Sequence, residues 1–317
     1  MGRISYLKIK CPRCGEIGGL TYRKGVGFCV NHGTKTSHKI RDDEPVEIIY
    51  DNPDLSLFKY PGGDTYLLPY LRGMIPPHTC YVEVFGGSGK LLLNKPPSRV
   101  EVYNDIDGEL VNLFRVVKNR EMFRRFMNHL DMVLYSREIF YEYLRKLREG
   151  VGDNIERAVY LFYTLNASIN GMGKSFSTSR KDNTAKRFFN VVGRLREIHR
   201  RLKRVVVENL DFRDVMLKYD SPQTFFYLDP PHLYSSTEKY SYYSARFTDN
   251  DYLDLLNLLD KIEGKFLLKQ TLSTNYVLNW ARERGYRVKT LQLANYMKLD
   301  REKRSTLKVV FVANYNL

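Results

Sequence analysis

Acidic residues are in short supply. Thirty-six Asp and Glu face 51 Lys and Arg across 317 residues, a formal net charge of +15. This excludes an acidic, solvating chain and points to a polyanionic partner, of which nucleic acid is the commonest. A heat-adapted surface rich in Lys and Arg is the bland alternative. No apolar run approaches the roughly 18 residues that a membrane span requires. The opening stretch MGRISYLKIKCPRCG has no apolar signal core, so a cytoplasmic protein is expected. Cysteine is scarce too: there are four, three of them in the first 29 residues. That clustering argues against a disulfide framework and for a metal site. What the chain does have is a hydrophobic content of 43%, enough to bury a sizeable core in one large domain or two modest ones.

CPRCG (11–15) is a C-x2-C knuckle with glycine after the second cysteine. CVNHG (29–33) mimics a second knuckle, giving C-x2-C-x14-C-x2-H; alternatively His32 and His38 form the second pair, with Cys29 on the opposite strand face. Four of Cys11, Cys14, Cys29, His32 and His38 suit a closed, tetrahedral, structural Zn²⁺ site. Residues 1–40 therefore resemble a zinc ribbon, too small for a core of their own and stapled by the metal. Residues 41–57, acidic and with two prolines, read as a linker, and Cys80 as a buried strand residue.

From Phe58 the texture is globular. CYVEVF (80–85), RVEVYND (99–105), RVVVEN (204–209), TFFYLD (224–229), KFLLKQ (265–270) and LKVVFVANY (307–315) read as strands. GELVNLFRVV (108–117) and DYLDLLNLLDKI (251–262) carry helical periodicity. This alternation predicts an α/β fold, a sheet with helices on both faces. The stretch 118–204 holds helices and no strand until its end, so it reads as a helical subdomain inserted into the parent domain of residues 58–117 and 205–317.

VEVFGGSGKLLL (82–93) is strand, glycine turn and helix, a shape that lets backbone approach a ligand closely. It lacks the Lys-Ser/Thr of a P-loop, because Lys90 precedes Leu91, and the full GxGxxG spacing of a dinucleotide site. The next strand ends in Asn104-Asp105-Ile106-Asp107, about 20 residues on, where an acid would hold a ribose diol. Phe85 and Asp105 together point to an adenosine-type cofactor. Capping of the helix that begins near Gly108 is the competing task for Asp105 or Asp107.

FFYLDPPH (225–232) is a buried strand that delivers Asp229 to the carboxyl edge of the sheet, where ligands of open α/β folds bind. Pro230 and Pro231 stiffen the chain and fix the direction of the Pro230 carbonyl. A carboxylate beside a rigid carbonyl makes two acceptors, which suit an –NH2 group. An exocyclic amine on adenine is a poor nucleophile because its lone pair is delocalised. Holding both its hydrogens favours a tetrahedral nitrogen, whose lone pair then meets an electrophilic methyl group. Positioning and electrostatics carry such a rate, with no covalent intermediate.

On these residues the chain resembles the D12 class, the Dam-like group, of S-adenosylmethionine-dependent DNA adenine-N6 methyltransferases. The resemblance covers roughly residues 55–317 and rests on FKYPGGDTYLLPYL (58–71), VEVFGGSG (82–89), NDIDGELVNLFRVV (104–117), NASINGMGKSFS (166–177), ENLDFRDV (208–215), YLDPPH (227–232) and VFVANY (310–315), in the family's order. It implies a Rossmann-like methyltransferase sheet with an inserted target-recognition subdomain. It implies that Tyr60, Gly62 and Gly63 line the methionine end of S-adenosylmethionine, with Phe85, Gly86 and Gly87 beneath it. Asp105 would take the ribose hydroxyls, Asp211 and Phe212 would flank the cofactor's adenine, and Asp229 and Pro230 would hold the target amine next to the cofactor, with Pro231 and His232 completing the catalytic motif. Two residues depart from the pattern: Asp64 stands where the family commonly has Lys, and His232 where Tyr is usual. Transfer to cytosine N4 or to RNA adenine uses the same amine chemistry, and a DNA-binding relative without catalysis is the reading that Asp-Pro-Pro-His leaves open. A restriction endonuclease partner is compatible with the resemblance; oligomeric state is not legible.

Between Lys174 and Arg204 stand eleven Lys or Arg and two acids, interleaved with Phe176, Phe188 and Phe189. This is the pattern of a nucleic-acid face, and for the family that the chain resembles the nucleic acid is double-stranded DNA. A base must leave the duplex to reach Asp229, so other side chains must hold the strands or fill the gap. Asn170, Met172, Lys174, Ser175, Phe176 and Arg180 are the candidates.

Overall fold

The computed structural model describes residues 7–11, 13–14, 17–23, 26–31, 36–40, 47–49, 55–59, 67–231, 247–270, 275–294 and 306–317. The chain divides into two compact units, Met1–Leu55 and Ser56–Leu317.

The first unit is a sheet of β1 (Leu7–Lys10), β2 (Ile17–Arg23), β3 (Val26–Asn31), β4 (Thr36–Ile40) and β5 (Glu47–Ile49), in the order β4-β3-β2-β1-β5. Every neighbouring pair is antiparallel. Glu47–Ile49, inside the stretch read as a linker, is instead a strand paired with β1, because its Glu-Ile-Ile gives that strand a β-forming neighbour. Cys11 and Cys14 lie in the connection from β1 to β2, and the register sets Cys29 opposite His38 on adjoining strands.

In the second unit, α1 (Leu68–Gly73) precedes β6 (Cys80–Glu83), α2 (Lys90–Asn94), β7 (Val100–Asn104) and α3 (Gly108–Lys118). Helices α4 (Arg120–Met132), α5 (Arg137–Glu149), α6 (Asn154–Asn166) and α7 (Thr184–Leu202) follow before β8 (Val205–Glu208). The chain continues through α8 (Phe212–Tyr219), β9 (Thr224–Leu228), α9 (Asp249–Leu259), β10 (Lys265–Gln270), α10 (Asn275–Glu283), β11 (Arg287–Ala294) and β12 (Thr306–Ala313). Seven strands form one sheet in the order β11-β12-β10-β9-β6-β7-β8. The five from β10 to β8 are parallel, and β12 is antiparallel to both β10 and β11.

Strand β9 shows why its sequence is an unbroken apolar run. It is central and parallel, and all five of its residues are buried. On one face of the sheet Val82, Val102, Phe226, Leu228, Phe266 and Leu268 pack with buried residues of α8, α9 and α10, such as Val215, Leu255 and Val277. The α3–α7 segment joins the body through buried polar bonds as well as packing. The Arg201 guanidinium on α7 bonds both carboxylate oxygens of Glu101 on β7, at 2.5 and 2.8 Å, and the Leu92 carbonyl at 2.6 Å. Lys95, fully buried, makes a second ion pair with Glu101 at 2.6 Å. Burial lowers the Lys95 ammonium to about 8, although Glu101 pulls it back up.

The chain runs from β6 to β7 and β8 on one side of the sheet and from β9 to β10 on the other. The strand order therefore reverses between β6 and β9. The crevice at their carboxyl ends is the place where a doubly wound sheet admits a ligand.

Candidate active site

Three sequence features meet at that crevice. The glycine loop leaves β6, Asp105 follows β7, and Asp229 follows β9. The Val84 N–H donates to the Tyr227 carbonyl at 3.1 Å, carrying the β6–β9 ladder up to the loop.

The loop is tight enough to demand glycine. The Gly86 N–H donates to the Asn104 carbonyl at 2.7 Å, and a Cβ at Gly86 would lie 2.3 Å from the Tyr103 ring and 2.7 Å from that carbonyl oxygen. Gly89, which begins α2, has φ 61°, the left-handed region. The Tyr103 hydroxyl donates to the Gly87 carbonyl at 2.8 Å, and the Gly87 N–H donates to Asp105 Oδ2 at 2.7 Å. The other oxygen, Oδ1, accepts from the Asp107 N–H at 2.8 Å. Burial raises the Asp105 carboxyl to about 6, against the opposing pull of the Asp107 and Gly87 N–H groups. Asp107 caps α3, accepting from the Glu109 and Leu110 N–H groups at 2.8 and 3.3 Å, while Asp105 holds the glycine loop.

Aromatic rings form one wall. Phe85 stands 5.7 Å from Phe212 and 5.5 Å from Phe247, centroid to centroid, and Phe212 stands 5.6 Å from Phe247. Phe247 escaped the sequence reading; it lies 18 residues past Asp229, with no motif around it. Asp211 caps α8 through the Arg213 N–H at 2.9 Å and also pairs with the Arg213 guanidinium. Arg213 reaches on to Asp251 at 2.6 Å and Asp254 at 2.7 Å, tying α8 to α9.

Asp229 is partly exposed, Pro230 is buried and Pro231 half-buried. Lys269, at the end of β10, donates from Nζ to Asp229 Oδ2 at 2.8 Å and is only 3% exposed. Two more buried groups stand at this end of the sheet. Among the described residues, the Tyr252 hydroxyl and Gln270 Nε2 have no hydrogen-bond partner. Burial drives the Tyr252 phenol well up, with help from the nearby charges of Tyr276 and Asp229. Lys269 and Tyr252 were not legible as site residues, because each reads locally as part of an ordinary strand or helix.

The expected DNA-contacting segment follows α6. Ile169–Gly171 is a single 3-10 turn in which Asn170, exposed, takes φ 55°. A Cβ on Gly171 would lie 2.3 Å from the Lys59 carbonyl oxygen, so the turn presses against the chain just before Tyr60. Lys174, Ser175 and Arg180 are exposed and Met172 is half-buried. Phe176 differs from a free wedge. Its ring packs 5.0 Å from Tyr135 and 5.7 Å from Phe140, with Arg137 over its face at 5.3 Å. Tyr60, Gly62, Gly63, Asp64 and His232 lie outside the described residues, as do His32 and the Cys29 side chain. Among the described residues no cluster of three His, Cys, Asp or Glu is arranged to hold a metal ion, and no helix is long and apolar enough to cross a membrane.

The sequence profile of the D12 class N6 adenine-specific DNA methyltransferases matches residues 60–297. A type II methyltransferase of Lactococcus lactis subsp. cremoris is 23% identical over 282 residues, covering 81% of this chain and 94% of the relative. The DNA adenine methylase of Salmonella typhi is 30% identical over 126 residues, 37% of this chain and 42% of the relative. That of Escherichia coli K12 is 28% identical over 119 residues, with the same coverage of 37% and 42%. The matched span takes in the glycine loop, Asp105 and the Asp-Pro-Pro turn, and the chain belongs to the D12 class of N6 adenine-specific DNA methyltransferases.

Proposed function

We propose that this protein transfers the methyl group of S-adenosylmethionine to N6 of an adenine turned out of double-stranded DNA. The observation that carries the reading is the meeting of the glycine loop, Asp105 and Asp229 at the one point where the strand order reverses. The residues present fit the cofactor. Gly86 and Gly87 leave the backbone bare beside Asp105, whose desolvated carboxyl would accept from ribose hydroxyls. Phe85 and Phe212 offer flat apolar surface for an adenine, with Asp211 at its edge. Tyr60, Gly62 and Gly63 take the methionine end. When bound, the cofactor supplies an electrophilic methyl on a cationic sulfur.

The chain's own part is to hold the amine. Asp229 and the Pro230 carbonyl accept its two hydrogens, Pro231 keeps that carbonyl in place, and the His232 imidazole stacks on the base. The helices of residues 118–204 form the target-recognition insert, with Asn170, Met172, Lys174, Ser175 and Arg180 toward the duplex and Phe176 supporting them from its aromatic cluster. The likeness to a type II methyltransferase supports a restriction endonuclease as cellular partner.

In the N-terminal unit, Cys11 and Cys14 with two of Cys29, His32 and His38 hold a structural Zn²⁺. The knuckle in the β1–β2 connection and the Cys29–His38 register support this. The activity is tested by incubating the protein with S-adenosylmethionine and DNA and resolving the product nucleosides by mass. N6-methyladenine is expected. N4-methylcytosine, methylation of RNA alone, or DNA binding without methyl incorporation would each replace this reading with its rival.

A further inference from the structure

The buried placement of Lys269 beside Asp229 is costly. A buried ammonium must be paired, and a carboxylate that loses such a partner, or the reverse, leaves an uncompensated charge. The β9–β10 register pairs Leu228 with Leu268. The next residues, Asp229 and Lys269, thus end two parallel strands side by side, with Nζ 2.8 Å from Oδ2. A carboxylate has two oxygens, and one of them is now committed. Oδ1 takes no hydrogen bond from any described side chain or backbone group and remains for a ligand. A charge-assisted bond of this length also fixes the plane of the carboxylate. Carboxylate oxygens exchange by rotation about one soft torsion, so without the ammonium either oxygen, at a range of angles, could face the amine.

We propose that Lys269 is a positioning residue for methyl transfer: by binding Oδ2 it turns Asp229 so that Oδ1 and the Pro230 carbonyl face the target amine together. The inference rests on the reading of Asp229 as the amine's acceptor.

The test uses Lys269→Met, Asp229→Asn and the double variant in the full chain, with single-turnover methylation of duplex DNA, cofactor affinity and melting temperature as readouts. Lys269→Met should slow transfer roughly 30-fold to 100-fold, the scale of a misplaced catalytic group, with cofactor affinity changed less than about threefold. In the Asp229→Asn background the same substitution should cost nothing further, because the residue acts only through the carboxylate. Transfer at the wild-type rate in Lys269→Met overturns the proposal. So does an equal loss in both backgrounds, which is what a merely structural lysine would give. If the wild-type protein transfers no methyl, the functional reading falls by itself, and melting decides the pairing. Each single variant should melt below the double variant, whereas additive losses would show that Asp229 and Lys269 are not coupled.

Discussion

Replacing Asp105 by Asn should make the cofactor-free protein more stable at neutral pH while removing its grip on the cofactor. Burial raises the Asp105 carboxyl from 3.8 to about 6, so the folded protein holds this proton more tightly than the unfolded chain does. Stability from this group is therefore greatest below pH 4, falls as pH rises from about 4 to 6, and stays low above. Above pH 6 the ionised carboxylate costs the fold about 3 kcal/mol. Asparagine removes that cost. It keeps only one acceptor for the two N–H groups, from Gly87 and Asp107, that Asp105 satisfies, which gives back about 1 kcal/mol. The net gain is about 2 kcal/mol above pH 6, or roughly 5 °C in melting temperature for a unit of this size. Thermal melts of both proteins from pH 4.5 to pH 8, without and with S-adenosylmethionine, read both effects. The variant should gain over wild type as pH rises from 4.5 to about 6 and keep that gain up to pH 8. Saturating cofactor should then raise the wild-type midpoint and leave that of the variant nearly unmoved. An advantage that is absent at pH 8, or constant across the range, would refute the argument that a desolvated carboxylate is held in the loop for its ligand.

Gly193 lies in the middle of α7 with nothing within 4 Å of where its Cβ would be; Gly193→Ala should add about 1 kcal/mol of stability in urea melts. Gly86→Ala should cost about 3 kcal/mol, because its methyl would strike the Tyr103 ring at 2.3 Å and backbone at 2.7 Å; a melting temperature equal to wild type would show that the loop can yield. Elemental analysis should find about one zinc per chain, and Cys14→Ser should remove it; zinc content unchanged by that substitution would exclude Cys14 as a ligand.

The sequence made the centre of the sheet legible because burial on both faces leaves an unmistakable mark. TFFYL could be little else than a central strand, and the acid after it had to emerge at the carboxyl edge. The glycine loop was legible for a related reason, since backbone pressed against Tyr103 and Asn104 tolerates no side chain. Edge elements were harder to read. RVKTLQLA of β11 alternates polar and apolar residues on the outermost strand, paired on one side only with β12. Glu47–Ile49 is three residues long and is a strand only because β1 lies beside it. The missing parts of the site share one cause. Phe247 and Lys269 gain their meaning from contacts across 162 and 40 positions, with Phe85 and Asp229, and no local pattern records a partner that far away. Phe176 has contacts that its basic surroundings do not reveal: its ring packs in a cluster built by α5 and the segment before it.

The most direct test of the account is mass analysis of nucleosides from DNA treated in parallel with wild-type protein and with Asp229→Ala, after cofactor binding by the variant has been confirmed. The account predicts N6-methyladenine with the wild type and none with the variant. N6-methyladenine formed by the variant, or N4-methylcytosine as the wild-type product, would contradict it.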